Sequence, residues 1–228
     1  MHTEFSRLHS LVRTRVRAVS GLLILVLLCP VPGLAAGQQP VDVIRSATKK
    51  VLAELEETPQ IRSDPLRLNA VIERHILPHV DLLTLSRLTL GKNWRAATRE
   101  QRSSFAREFG VLLIKTYSTA LASFTSQEIE YLSSSVSAQK RRAIVRTRIV
   151  EDGLAPLAVD YSLRLVDGAW RVYDVKIEGV SLAINYRSSF AQEIRDHGIE
   201  GLIERLGVRN RDAQGRVPLA RAAVLEPR

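Results

Sequence analysis

The chain has 228 residues, with 33 lysines and arginines against 24 aspartates and glutamates, a single cysteine, and 45% apolar but only 5% aromatic residues. That length fits one domain with tails, and the apolar share is enough for a real core. Wholesale disorder and a large multidomain enzyme are both excluded.

The opening segment points to a compartment. Arg7, Arg13, Arg15 and Arg17 precede an unbroken apolar run from Leu22 to Cys29, and small residues follow at Gly33, Ala35, Ala36 and Gly37. This is the charged, apolar, small-residue order of a secretory signal peptide over residues 1–36, with cleavage expected between Ala35 and Gly37. The apolar run is too short for a permanent anchor. A lipoprotein reading would acylate Cys29, but Leu28 stands where a small residue is needed. Removing the segment leaves 29 basic against 23 acidic residues, a net charge of +6, and takes away the only cysteine. Disulfides and thiolate chemistry are then unavailable, and an exported domain held by its core alone suggests a bacterial periplasm. Export argues against nucleic acid as a partner and leaves anionic lipid headgroups or acidic protein faces for the basic surface.

In residues 41–57, Ile44, Ala47, Val51 and Leu55 recur at helical spacing, and Thr58-Pro59 ends the run. A second helix is expected over 66–77, with Leu68, Val71, Ile72 and Leu77 apolar and Pro78 as its stop. Asp81 can cap a short third helix through Leu82, Leu85 and Leu88 that closes at Gly91. Thr98-Arg99-Glu100-Gln101 is a capping box opening a helix of about 27 residues. Its apolar face carries Phe105, Phe109, Leu112, Leu113, Thr116, Tyr117, Ala120, Leu121 and Phe124.

After Thr125 the period becomes alternating. Strands are expected over 128–137, 142–151, 157–166 and 170–178, with Asp152-Gly153 and Asp167-Gly168 as turn signals between them. In the second run, Ala143, Val145, Thr147 and Ile149 alternate with Arg142, Arg146 and Arg148. In the third, Leu157, Val159, Tyr161, Leu163 and Leu165 alternate with Asp160, Ser162 and Arg164. One sheet face is apolar and the other charged. Ser181 can cap a last helix carrying Ile184, Tyr186, Phe190 and Ile194, interrupted at Gly198 and resumed through Ile199, Leu202, Ile203 and Leu206 to Gly207. Residues 211–228 lack periodicity and are expected to form a disordered tail. The order of elements describes an α+β domain, a twisted antiparallel sheet of about four strands with helices packed on one face.

Chemical signals are sparse. Gly179-Val180-Ser181 resembles a nucleophile elbow, but that turn needs a parallel sheet and a histidine from a later loop, whereas His197 falls on the same expected helix; a helix cap explains Ser181. His75 and His79 are four apart with Pro78 between them, which breaks the helix that would pair them on a metal. Asp174 in the last strand admits two readings, a general base in a cone-shaped fold or a carboxylate satisfied by neighbouring donors. Arg142, Arg146 and Arg148 are aligned on one strand face, behind Lys140-Arg141, and suit a solvated surface or a partner. No cofactor motif or complete metal-ligand set emerges.

Two multi-residue motifs carry a resemblance. Pro78-His79-Val80-Asp81, the run from Leu90 to Thr98 (Leu-Gly-Lys-Asn-Trp-Arg-Ala-Ala-Thr), Gln101 to Phe105 and Tyr117 resemble the helical half of the MlaC, or toluene-tolerance, family. Trp170 to Asp174, Ile177 to Leu182, Asn185 to Phe190 and Gly198 to Ile203 resemble its second half. The likeness covers about residues 41–207, within a domain expected over 37–210. It implies a non-enzymatic periplasmic carrier that holds phospholipid acyl chains in an apolar cavity with the headgroup outside. Such carriers pass lipid between an inner-membrane ABC transporter complex and an outer-membrane MlaA-like lipoprotein with porin, and so maintain outer-membrane lipid asymmetry. Another polar lipid such as a hopanoid is the alternative cargo.

Two acyl chains of about 30 methylenes in all need on the order of 800 Å³, near the upper end of usual ligand pockets. Facing direction alone gives the lining candidates: Leu113, Tyr117 and Leu121 on the long helix, Val145, Val159, Tyr161 and Leu163 on the sheet, Val175 and Ile177 on the last strand, and Tyr186 and Phe190 on the last helix. Plain core would give the same pattern. Arg187 is the candidate for a lipid phosphate.

Overall fold

The computed structural model describes residues 38–124, 127–139 and 141–212. The signal segment with Cys29, and residues 213–228 of the tail, lie outside the described residues.

The helices start where local chemistry favours it. α1 (Pro40–Glu57) has proline at its first position, where no N–H is needed. After a 3-10 turn at Pro59–Ser63, the Asp64 carboxylate accepts from the Leu66 and Arg67 N–H groups and opens α2 (Pro65–His75). A second 3-10 turn, Leu77–His79, carries Pro78. Asp81 accepts from Thr84 N–H to cap α3 (Leu82–Leu90). A single extra turn, α4 (Asn93–Ala96), precedes α5 (Arg99–Ala122), whose capping box from Thr98 and Gln101 is complete. α5 stops short of Phe124. There the Arg62 guanidinium donates to the Ala122 carbonyl at 2.9 Å and the Phe124 carbonyl at 2.6 Å, satisfying groups that a helix end leaves open.

Five antiparallel strands follow in spatial order β1 (Glu128–Val136), β2 (Arg142–Val150), β3 (Leu157–Val166), β4 (Ala169–Ile177) and β5 (Val180–Ser181). β5, too short for a periodic signal, is added by the tight turn at Glu178 and Gly179, both at positive φ (49° and 79°). Two register shifts re-aim side chains: Leu132 is the extra residue in β1 and Tyr173 in β4. α6 (Leu182–Asp212) is two helical pieces joined at Gly198, where φ 71° and ψ 175° break the helix. Its second piece continues through Arg211 and Asp212, two residues into the expected tail.

Apolar packing is divided among three clusters. The first joins α3, α5 and α6 through Leu85, Leu90, Phe105, Phe109, Leu112, Phe190, Leu202 and Leu206. Phe105, Phe109, Tyr186 and Phe190 form its ring array, with centroids 5.4 to 5.7 Å apart. In the second, Val43 and Ile44 of α1 press on Ala143, Val145, Leu163, Trp170 and Val172 of the sheet. The third fastens α1 to α2 through Val51, Leu55, Ile61, Leu68 and Val71. A single contiguous core is the usual arrangement. Here the clusters stand around a gap.

α1 and α2 are also clasped electrostatically: Glu54 meets His75 Nε2 at 2.7 Å and Arg74 at 2.7 Å. The His75 hydrogen bond, helped by Arg74 and opposed by burial, holds the Glu54 carboxyl below its ordinary 4.5. A depressed carboxyl contributes stability that is fully present above its unfolded value and is lost as pH falls through the folded one. Glu54→Gln should therefore lower the melting temperature at neutral pH, and the gap to the parent chain should close as pH falls below 4.5. Thermal melts across pH 3 to 7 check this, and a gap independent of pH would refute the clasp.

Candidate functional site

The gap between the clusters is an apolar chamber with two lobes, both open to the outside. The larger encloses about 400 Å³, between α5, the start of α3 and the inner face of β3 and β4. The smaller, about 220 Å³, lies between α1, the turn at Leu77–His79 and the sheet. Ile76, Val80, Leu121, Phe124, Ile149, Tyr161, Val172 and Val175 belong to both walls, so the lobes adjoin along that seam. The larger lies within the 300–1,000 Å³ of small-ligand sites and the smaller falls below it. Together they approach, but do not reach, the volume of two complete acyl chains.

Local backbone features make these walls. The extra residue Tyr173 brings Val172 and Val175, three apart in sequence, onto the same side of β4. Val80 forms a parallel bridge with Val172, and Asp81 N–H donates to the Val172 carbonyl at 2.7 Å, fixing the turn after α2 against the sheet. Gly110 allows α3 to approach: a Cβ there would come within 2.8 Å of the Leu82 side chain.

Few polar groups reach the chamber, and each is explained by its neighbours. Burial, then Tyr186, with which it hydrogen-bonds, pushes the Tyr117 phenol well above its ordinary range. Burial, then Tyr131, pushes Tyr161 up to about 12, against the opposing effect of a hydrogen bond with Thr147. Both phenols are neutral at physiological pH. Asp174 is the one carboxyl side chain on either wall; its Oδ1 accepts from Ala183 N–H at 3.3 Å, at the positive end of α6. His79 on the smaller lobe is held below 6.5 by burial, then by Arg171 and Lys50.

Of the twelve candidates, seven are on the chamber wall: Leu113, Tyr117, Leu121, Val159, Tyr161, Val175 and Ile177. Five are elsewhere. Val145 and Leu163 face inward as their alternation requires, but Val43 and Ile44 cover them, so they fill core. Tyr186 and Phe190 pack on Phe105 and Phe109 because α6 leans on the first half of α5 rather than on the sheet. Arg187 donates from Nε to the Leu88 carbonyl at 3.0 Å, and again from Nη2, closing the C-terminal end of α3 beside Gly91. Ile72, Ile76, Val80, Leu82 and Phe124, not among those candidates, complete the walls. Ile72, Leu82 and Phe124 were signalled as apolar positions of their helices, whereas Ile76 carried no signal and Val80 only its place in the Pro78–Asp81 motif.

The residues weighed for catalysis occupy other roles. Ser181 Oγ accepts from Ile184 N–H at 3.2 Å, capping α6. His197 engages Glu193 at 2.9 Å and Arg205 at 2.8 Å on its own helix. His75 is taken up by Glu54. Among the described residues no group of three or more His, Cys, Asp or Glu could hold a metal ion. On the outward sheet face Arg146 pairs with Asp160 at 3.9 Å and Arg148 with Glu130 at 3.7 Å, while Arg142 stands exposed.

Comparison with known proteins places this geometry. The family model described as MlaC protein matches residues 45–207. The chain is 26% identical over 175 residues to the intermembrane phospholipid transport system binding protein MlaC of Haemophilus influenzae, covering 75% of this chain and 82% of that one. It is 28% identical over 180 residues to toluene tolerance protein ttg2D of Pseudomonas putida, covering 78% and 83%. Among solved structures, the phospholipid-binding protein from Ralstonia solanacearum in complex with a phospholipid superposes with a TM-score of 0.71 at 28% identity, over 78% of this chain and 99% of that one.

The distinction between wall and core is measurable. Leu163→Ala, at a fully buried position, should cost about 2–5 kcal/mol in denaturant unfolding. Leu113→Ala removes a side chain already beside a void and should cost clearly less. Equal losses would mean that the chamber is packed in solution.

Proposed function

This chain belongs to the MlaC family, and on that premise we propose that it is a periplasmic phospholipid carrier whose two-lobed chamber shelters acyl chains while the headgroup stays at the surface. The observation that carries the reading is the apolar chamber between α5 and the inner sheet face, in a fold shared with a phospholipid-bound relative. The export signal read in residues 1–36 supports the compartment. No described helix is long and apolar enough to cross a membrane.

The physical demand is large. At about 0.8 kcal/mol per methylene, roughly 30 methylenes entering water would cost about 24 kcal/mol gross, so a bare lipid does not cross an aqueous space. A carrier works when its chamber replaces most of that shelter without exceeding it, because the lipid must leave again. A wall of aliphatic side chains and neutral phenols meets this requirement, and carriage rather than catalysis is the activity such an arrangement supports. By the family's pattern the lipid would pass between an inner-membrane ABC transporter complex and an outer-membrane MlaA-like lipoprotein with porin, maintaining lipid asymmetry.

Native mass spectrometry of the purified chain should find diacyl phospholipid bound, and the delipidated chain should draw phospholipid from donor vesicles. Leu121→Trp, which places bulk on the seam of the two lobes, should cut the bound fraction several-fold with folding retained. Protein that is empty and takes up nothing from vesicles would sink the reading.

A further inference from the structure

The outward face of the sheet obeys the usual pairing of charges at one end and breaks it at the other. Ala143, Leu163, Trp170 and Val172 turn inward and pack with α1, so their sequence neighbours Arg142, Arg164 and Arg171 turn outward. The register sets these three in one row across β2, β3 and β4, with Arg142 opposite Arg164 and Arg164 opposite Arg171. Side chains directly opposite one another start about 5 Å apart, and like charges there are destabilising.

The rest of the face shows the ordinary solution. Arg148 stands opposite Glu130 and bonds to it at 3.7 Å; Arg146 stands opposite Asp160 and lies 3.9 Å from it, and Asp160 has Lys176 on its other side. In the arginine row one carboxylate serves three guanidinium groups. Asp81, which also caps α3, reaches Arg164 at 3.2 Å, yet the Arg164 side chain remains 38% exposed. Arg142 and Arg171 make no side-chain hydrogen bond or ion pair among the described residues, and Asp167, in the turn at this end, pairs with neither. The adjoining row of Ile144, Ser162 and Asp174 offers no free acid, because Asp174 is buried and bonded to Ala183 N–H. A sequence that neutralises two rows of a face and leaves the third charged has broken a local rule, and such places are where function is expected.

We propose that the row of Arg142, Arg164 and Arg171 is a docking surface for an acidic protein, whose carboxylates supply the counter-charges the row lacks. Guanidinium groups are planar forks that match carboxylates. A second copy of this chain is disfavoured, because it brings a net charge of +9 of its own. A bilayer is disfavoured too, because its uniform negative plane would press on Glu130 and Asp160, which share the face, whereas a protein can confine its acidic groups to the row. The surface follows from the register, whatever the chamber holds; that the partner sits on a membrane rests on the carrier reading above.

The test is co-sedimentation of the fluorescently labelled chain with envelope membranes of the source organism and with phosphatidylglycerol vesicles. The parent chain should sediment with the membranes, and should stop doing so once they are treated with protease or their carboxylates are amidated with carbodiimide and glycinamide. Arg142→Glu with Arg171→Glu should weaken binding about 10-fold, the equivalent of 1.4 kcal/mol. Arg146→Glu with Arg148→Glu makes the same change of net charge at paired positions and should weaken it far less. Because glutamate opposite Arg164 removes a repulsion, the first pair should melt no lower than the parent; Arg142→Gln with Arg171→Gln serves if it does. Equal weakening by both pairs would mean that binding follows net charge alone. Binding that survives protease and is matched by the vesicles would assign the row to lipid headgroups. Either result, or a parent chain that leaves untreated membranes bare, overturns the docking surface. Phospholipid uptake from donor vesicles should be the same in the parent and the first pair, so a failure of the carrier reading shows separately, as a parent that takes up nothing.

Discussion

An apolar chamber inside a small domain persists only if the packing around it is complete without it. Here that condition is met by dividing the core. The ring array between α5 and α6, the α1 face on the sheet, and the α1 to α2 seam each bury their own fully enclosed residues: Phe105 and Phe109, Val145 and Leu163, and Val51 and Leu55. Wall residues such as Leu121, Tyr161 and Val175 pack only at the edges of these clusters. Fusing them would satisfy the ordinary preference for one contiguous core and would leave no lobe.

Division of the core also governs the polar groups. A carboxylate facing an apolar wall is costly unless it is bonded, and Asp174 is bonded to the first turn of α6, where the helix dipole favours negative charge. Tyr117 is tied to Tyr186 and so links the chamber wall to the ring array behind it. Tyr161 sits on both lobes with its hydroxyl joined to Thr147, whose own hydroxyl donates to the Val159 carbonyl at 2.9 Å. The chamber thus presents carbon to its contents, while its few polar atoms face partners within the protein. Arg62 works at the margin of the same system: by holding the carbonyls at the end of α5 it fixes Phe124, which both lobes share.

Local chemistry made most elements legible in the sequence. Asp81 before α3, the Thr98 capping box, Asp167-Gly168 and Ser181 are signals whose physics acts over three or four residues, and each falls where its element begins or turns. What spacing conveys poorly is what lies opposite a face. Val145 and Val159 alternate identically on neighbouring strands, yet one lies under α1 and the other opens on the larger lobe. Tyr186, Arg187 and Phe190 depend on the direction in which α6 leaves β5, a tertiary property that its periodicity does not contain. The extra residues Leu132 and Tyr173 are likewise invisible in the pattern, and the second of them sets which β4 side chains reach the chamber.

Keeping the lobes open has an energetic consequence. Side chains on the wall of an open lobe lack the contacts that close packing would supply, and water entering through the mouth replaces them only in part. A ligand that fills the lobes restores contacts missing from the empty wall, and because it binds only the folded chain it raises stability by mass action. The fold therefore favours being loaded in proportion to how poorly it packs alone. Release must overcome the same term, which makes a partial opening, with the chains held short of complete enclosure, the arrangement best matched to a cargo that has to be both accepted and given up.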